Sequence, residues 1–347
     1  MGVQSDGLSE VGDQAPPRAG STAAGTITVI VPVLNALATL PACLDSVLAA
    51  MKRAGVRDLV VVDNGSRDGS YELVRTRYAE HARLLRQPGI RVGQVRNVGA
   101  AGATTDVLAF IDSDCVVGVD YFTTMQRVFT EPSVAATGAT YSLPDQPGWI
   151  ERTWDALHAA PPRGPVAWIN AGNFAIRRTV FEQLGAFDGT LSSGEDTQIG
   201  ARLRNEGFML YEEPLLRCVH LGNPKSIGHF FRKHVWHGMG ILGTPGARDR
   251  VRRPLAMLVA HFLLTAGGVG ILFATGIPIV ARLACLVLCV LGVPVFSVVY
   301  RIRQSRRRCN FGSALFLYFV YYTARLVALG KLAGESLRSA PRVDSGL

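Results

Sequence analysis

The chain predicts an α/β domain built on a largely parallel sheet with helices on both faces, followed by a C-terminal transmembrane helical region. Three observations carry this. From Thr26 to about residue 115, short β-branched runs alternate with amphipathic stretches, the pattern of successive strand–helix units. The runs end in polar clusters, Pro32–Asn35, Asp63–Ser66 and Asp112–Asp114, and the carboxyl ends of strands are where such sheets bind ligands. After about residue 254 the composition turns to apolar runs long enough for a hydrocarbon core.

Taken in order, residues 1–25 are rich in Gly, Ala, Ser and Pro and lack the basic start and apolar core of a signal peptide. They read as a disordered leader. Ile27–Val31 is a strand ending at Pro32. Pro41 opens a helix with Leu44, Val47, Leu48 and Met51 on one face, and Gly55 closes it. Leu59–Val62 is a second buried strand, stopped by Asp63-Asn64-Gly65. A helix near Tyr71–Glu80, a short strand at Leu84–Arg86 and a small-residue helix at Val95–Ala103 lead to the strand Val107–Ile111. The domain is expected to occupy residues 26–240, with a basic juxtamembrane segment at 241–254, a membrane region at 255–332 and a tail at 333–347. Leu255–Ala274 and Leu283–Tyr300 read as two spans joined by a short hairpin, with Arg282 placed to snorkel. Ala314–Gly330 contains Arg325 and reads as a third span or as an interfacial helix.

The composition agrees. Of 347 residues, 48% are hydrophobic and 18% charged, against about 25% charged in soluble domains, which excludes disorder for most of the chain. The formal charge of +9 is concentrated beside the apolar runs, at Arg248, Arg250, Arg252 and Arg253 and at Arg301, Arg303, Arg306, Arg307 and Arg308. That is the pattern of cytoplasmic loops, so the charge points to a multi-pass protein of the cell (inner) membrane with its N-terminal domain cytoplasmic. No motif accompanies the arginines that would indicate nucleic acid. The six cysteines form no C-x-x-C pair and no cluster with histidine along the sequence, so no zinc site is expected.

Asp112-Ser113-Asp114 is the sharpest chemical signal. Two carboxylates at i and i+2 beyond a buried strand can converge on Mg²⁺ or Mn²⁺ and, through it, on phosphate; the same triplet also serves as a strand-capping turn. Asp63 could accept from a nucleobase or ribose, or simply build an Asn-Gly turn. Ser193-x-x-Asp196 has the spacing of a capping box at the start of a helix bearing Ile199 and Leu203. A helix N-terminus would also lower the pKa of Asp196, leaving an ionised base for a hydroxyl. His220 is a metal ligand or a structural donor. The stretch His229–His237 is too basic and aromatic for an ordinary core helix, and suits diphosphate or lipid headgroups.

Together these clusters resemble family 2 glycosyltransferases. Val29-Ile30-Val31-Pro32-Val33-Leu34-Asn35-Ala36 is similar to their opening strand, and Val61-Val62-Asp63-Asn64-Gly65-Ser66-Arg67-Asp68-Gly69-Ser70 to their second-strand motif. Arg96-Asn97-x-Gly99, Phe110-Ile111-Asp112-Ser113-Asp114, Gly172-Asn173-Phe174-Ala175-Ile176-Arg177-Arg178, Gly185-Ala186-Phe187-Asp188 and Gly194-Glu195-Asp196 follow in the family's order. The resemblance covers roughly residues 26–240 and implies the GT-A, Rossmann-like nucleotide-sugar-binding fold. It implies that Pro32, Asn35 and Asp63 contact the nucleoside of the donor and that Arg96 lies near donor phosphate or ribose. Asp112 and Ser113 would bind the donor, and Asp114 with His220 would hold the metal. Asp196 and the neighbouring Glu195 are assigned to catalysis, Asp196 deprotonating the acceptor hydroxyl, with inversion at the anomeric carbon.

Asn64 stands where the family often has a second acid. Arg232-Lys233-His234-Val235-Trp236 carries Val235 where processive synthases place an arginine, so single addition is expected rather than polymerisation. The expected acceptor is lipid-linked or a cell-envelope glycan. Rival readings are a polyprenyl-phosphate glycosyl synthase, a processive polysaccharide synthase, or an inactive membrane scaffold of the same fold.

Overall fold

The computed structural model describes residues 25–158, 163–243 and 248–339, so the expected leader, up to residue 24, and the end of the tail lie outside the described residues. The first half follows the strand–helix alternation: β1 (Ile27–Val33), α1 (Leu40–Ala54), β2 (Asp58–Asp63), α2 (Ser70–Arg77), β3 (Arg83–Arg86), α3 (Val92–Ala100) and β4 (Val107–Ile111). In β1 the two-residue period sends Val29, Val31 and Val33 to one side of the sheet and Ile30 to the other, each into its own apolar cluster. Pro41 sits in the first turn of α1, and Gly55 at φ +71° ends it; Leu44, Val47 and Met51 are buried beneath.

The second half is more irregular. It comprises β5 (Cys115–Val116), α4 (Tyr121–Val128), β6 (Val134–Gly138), α5 (Trp149–Ala156), β7 (Gly164–Pro165), β8 (Asn173–Arg177), α6 (Arg178–Gln183), α7 (Glu195–Asn205), β9 (Met209–Glu212) and β10 (Val219–His220). The main sheet runs β3-β2-β1-β4-β8-β6-β9-β7. Its first four strands are parallel, as expected, whereas β8 inserts antiparallel between β4 and β6 and makes the sheet mixed. Strand order reverses direction about β1, which lies between β2 and β4, and a crevice opens at the carboxyl ends there.

Four long helices follow: α8 (Ile227–Gly243), α9 (Arg248–Ile271), α10 (Ile279–Ser305) and α11 (Phe311–Ser339). Among the described residues two stretches, all of α10 and Phe311–Leu332 of α11, are long and apolar enough to cross a membrane, while Leu255–Ile271 is a shorter apolar helix. The expected run to Ala274 is cut short because the chain tightens into i→i−3 turns from Leu272 to Ala274. Arg282 does not snorkel outward; its Nη1 donates to the Leu272 carbonyl at 2.8 Å and closes the α9–α10 hairpin. The α11 helix lies parallel along α8: Phe230 packs with Leu317 and Val320, and Val235 with Ala324 and Ala328.

Candidate functional site

The loops after β1 and β2 are built from each other. Asp63 is fully buried, and its carboxylate accepts from the backbone N–H groups of Gly65 at 2.9 Å and Ser66 at 3.1 Å. Gly65 stands at φ +89° against Pro88, where a Cβ would collide. Asn35, at φ +50°, accepts from the Arg67 N–H at 2.9 Å, and its own N–H donates to Ser66 Oγ. Of the three residues expected at the nucleoside, Pro32 lines the cavity, together with Asn64. Asp63 and Asn35 instead hold the loops beneath it, because their oxygens already satisfy backbone donors.

At the end of β4 the carboxylates are not absorbed by their own turn. Arg96, buried on α3, donates through Nη2 to Asp112 Oδ1 at 2.7 Å and through Nη1 to Glu195 Oε1 at 2.6 Å. Burial works against its charge, but the two carboxylates more than restore it and hold its pKa above the ordinary value. Arg96, itself on the wall of the cavity described below, ties the Asp112 turn to Glu195 at the start of α7, 99 residues from Arg96 in sequence. Gly172 makes room for this, since a Cβ there would run into the Asp112 carboxylate.

The two-residue ribbon β5–β10 pairs Cys115 with His220 and brings together three groups that sequence spacing keeps apart. Ligand atoms of Asp114, Cys115 and His220 lie within 4.8 Å of one another, and His220 Nε2 is 3.5 Å from Asp114 Oδ2. Burial lowers the His220 pKa despite Asp114, so the imidazole is neutral and carries a free lone pair. Its Nδ1 is buried without a hydrogen-bond partner. Burial raises the Asp114 pKa, with His220 opposing. The Cys115 thiol is held well above its ordinary pKa, first by its hydrogen bond with Cys218 and then by burial, and stays protonated. Asp114 and His220 thus offer a hard oxygen and a neutral nitrogen, a donor pair that fits Mg²⁺ or Mn²⁺; a protonated thiol does not.

Asp196 is at the start of α7, but not in a capping box. Gly194, at φ +89°, takes the N-cap position, and Ser193 Oγ reaches the Trp236 carbonyl instead. Asp196 Oδ1 accepts from the Thr197 N–H at 2.6 Å. The expectation of a lowered pKa is also reversed: burial, then the adjacent Glu195 charge, push it up to about 6. Near neutral pH it is still mostly ionised, and its basicity suits proton abstraction better than an ordinary carboxylate.

One cavity of about 1180 Å³ joins these groups, with Pro32, Asp112, Ser113, Asp114, Glu195, Asp196 and His220 on its wall. It also contains residues the sequence did not single out for the site. Tyr141 packs against His220 with ring centres 4.5 Å apart and the rings tilted by 41°, and Asn223 Nδ2 donates to the His220 carbonyl at 3.0 Å. Lys233 of α8 lines the same wall; burial lowers its pKa, and Asp114 and Asp112 oppose the shift. Its signal was present in the basic stretch 229–237, masked by the arginine and histidines around it.

Residues 28–193 match the sequence model of Glycosyl transferase family 2. Over 223 residues the chain is 26% identical to Glycosyltransferase AglE of Haloferax volcanii, an alignment covering 62% of this chain and 72% of that protein. Over 213 residues it is 27% identical to the Pre-mycofactocin glycosyltransferase of Mycobacterium tuberculosis, covering 56% of this chain and only 42% of that one. In fold it is similar to the mannosyltransferase PcManGT of Pyrobaculum calidifontis, with a TM-score of 0.51 at 16% identity over 93% of this chain and 91% of the other. The matched segment runs from β1 to the end of the loop before α7, and so contains Arg96, Asp112 and Asp114. The α/β domain of this chain is thus similar in sequence to glycosyl transferase family 2 over residues 28–193 and has a GT-A-like fold.

Proposed function

We propose that the chain is a membrane-anchored, inverting glycosyltransferase. It moves a sugar from a nucleotide-sugar donor to a lipid-linked or cell-envelope glycan acceptor at the cytoplasmic face of the cell membrane. The observation that carries this is the shared cavity: Asp196, raised to about 6, opens onto the same space as Asp112, Asp114 and His220. Asp114 and His220 are the metal ligands in this reading, and Lys233 faces the donor diphosphate. A divalent cation bound there supplies charge neutralisation for the departing nucleoside diphosphate. PcManGT was captured with GDP-Man and Mn²⁺, which supports a nucleotide sugar and a divalent ion.

Each residue then has a task its geometry permits. Pro32, Asn64 and Ser113 contour the donor side of the cavity, and Asp112, fixed by Arg96, orients the donor. Glu195 is a positioning residue, since Arg96 holds its carboxylate. Asp196 takes the proton from the acceptor hydroxyl as it attacks the anomeric carbon, and the diphosphate leaves from the opposite face. The apolar helices α10 and α11 hold the domain at the bilayer, with the basic 301–308 segment on the cytoplasmic side.

The test is donor consumption by detergent-purified full-length protein against a panel of nucleotide sugars, with membrane lipid extract, with and without Mn²⁺. Metal-dependent use of one donor, abolished by Asp114→Ala, is the expected result. Folded protein that binds and turns over no donor in the presence of lipid acceptors overturns the reading and favours a scaffold.

A further inference from the structure

The cavity does not end at Asp196. It continues past His237 and His234 to Trp154 and His158 on and just after α5, and to Arg301 near the end of α10. Trp154 is the centre of a ring cluster, 4.6 Å from His158, 4.9 Å from both Phe230 and His234, and 5.5 Å from Tyr318. A wall of this kind suits the apolar face of a sugar ring or an isoprenoid unit.

Its charge is what makes it specific. Burial lowers the pKa of His158 to about 4 and that of His237 to about 3, so neither contributes a charge at neutral pH. Two acids of α5 line this arm: Asp155, matched by Arg307 at 2.7 Å, and the buried Glu151, whose Oε2 accepts from the Gly148 N–H at 2.7 Å. Arg301 has no carboxylate within ion-pair distance among the described residues; it meets Gln304 Oε1 at 3.3 Å and lies beside Tyr318 and His158. Arg301 is thus a guanidinium on the cavity wall with no carboxylate of its own, a group whose fork matches phosphate. Immediately before it on α10, Phe296 and Tyr300 are exposed and stacked, with ring centres 6.4 Å apart. Aromatic side chains beside an arginine at the end of an apolar helix mark the bilayer boundary.

We propose that this arm is the acceptor subsite and that it takes a phosphate-linked lipid. Arg301 holds the phosphate, the Phe296–Tyr300 face contacts the first part of the chain, and the Trp154 cluster guides the hydroxyl-bearing end toward Asp196. The proposal rests on the glycosyltransferase reading above and names the substrate class of its acceptor side.

The test uses the full chain in phosphatidylcholine nanodiscs, with decaprenyl monophosphate and decaprenol as probes. Wild-type protein should bind the phosphate at least tenfold more tightly, and Arg301→Gln should lose roughly 10–100-fold of that affinity, as removal of a charge-assisted contact does. Arg303→Gln, an exposed arginine on the same helix end and off the cavity wall, should match wild type. In turnover, Arg301→Gln should raise KM for the lipid acceptor and not KM for the donor. Equal binding of decaprenol, an equal loss in Arg303→Gln, or displacement by millimolar inorganic phosphate would each overturn the assignment. Wild-type protein that binds decaprenyl monophosphate through Arg301 yet consumes no nucleotide sugar would instead overturn the catalytic reading and leave the lipid site standing.

Discussion

The carboxylates at the ends of β2 and β4 occupy the same kind of position and do opposite work. Both follow buried parallel strands that flank β1. Asp63 is sealed from solvent and held by two backbone N–H groups of its own turn at 2.9–3.1 Å, with Arg86 Nε of the neighbouring strand farther off at 3.7 Å. Asp112 and Asp114 meet side chains from distant segments, Arg96 and His220, and face a cavity. A strand end does not by itself make a carboxylate chemical. What decides is whether the local turn already satisfies its oxygens.

The sharpest way to break this contrast is at Asp196. Asp196→Asn should lower kcat by about 10²–10⁴-fold, the usual worth of a general base. It should not destabilise the fold. Because the native pKa, about 6, lies above the unfolded value, ionisation costs stability as pH rises from about 4 to 6, and the whole penalty is present above that. Asparagine removes it, so at pH 8 the melting temperature should rise, by on the order of 1–3 kcal/mol in stability. Loss of stability with retained turnover would make Asp196 a framework residue like Asp63.

Next comes Arg96→Ala, which leaves Asp112 and Glu195 facing each other without their shared cation. Denaturant unfolding should show a loss of about 3–5 kcal/mol, typical of a broken buried ion pair. A loss below about 1 kcal/mol would show that the two motifs stand independently. The pH profile is a gentler probe: kcat/KM should rise with pH through about 6 to a plateau as Asp196 ionises, and the inflection should vanish in Asp196→Asn.

The smallest effect is expected at the other strand end. Asp63→Ala should cost about 1–3 kcal/mol of stability by orphaning buried N–H groups, while Mn²⁺ affinity per folded molecule, measured by titration calorimetry, stays at the wild-type value. Asp114→Ala should show the reverse pattern. A lowered Mn²⁺ affinity in Asp63→Ala would erase the distinction.

The parallel half of the sheet was legible because its signals are local. Two-residue alternation in Ile27–Val33, Pro41 and Gly55 around α1, and the Asp-Asn-Gly stop after β2 each act within a few residues. The Asp114–His220 arrangement was not, because β5 and β10 have only two residues each and show no period. Nothing in the sequence therefore places Cys115 opposite His220. Arg96 was legible as a cation but not as to its partner, since a guanidinium fits phosphate and carboxylate alike. The Ser193 capping box failed for a nearer reason: Gly194 adopts a left-handed turn and displaces the serine from the N-cap. Its spacing was right and its backbone was not.

The seam between α8 and α11 has a mechanical meaning. α8 sets out from the loop after His220 and Asn223 and then stays in register with α11 through Phe230, Val235 and Gly238, where a Cβ would press into Ala328. Its 17 residues make a strut about 25 Å long. The rim of the cavity and the apolar helix are therefore a single lever, and tilting one tilts the other. Inserting one residue into α8 would swing the contact face by about 100° and break the seam. Inserting seven would keep the face and raise the reacting centre by about 10 Å, turning the strut into a ruler for how far an acceptor must reach.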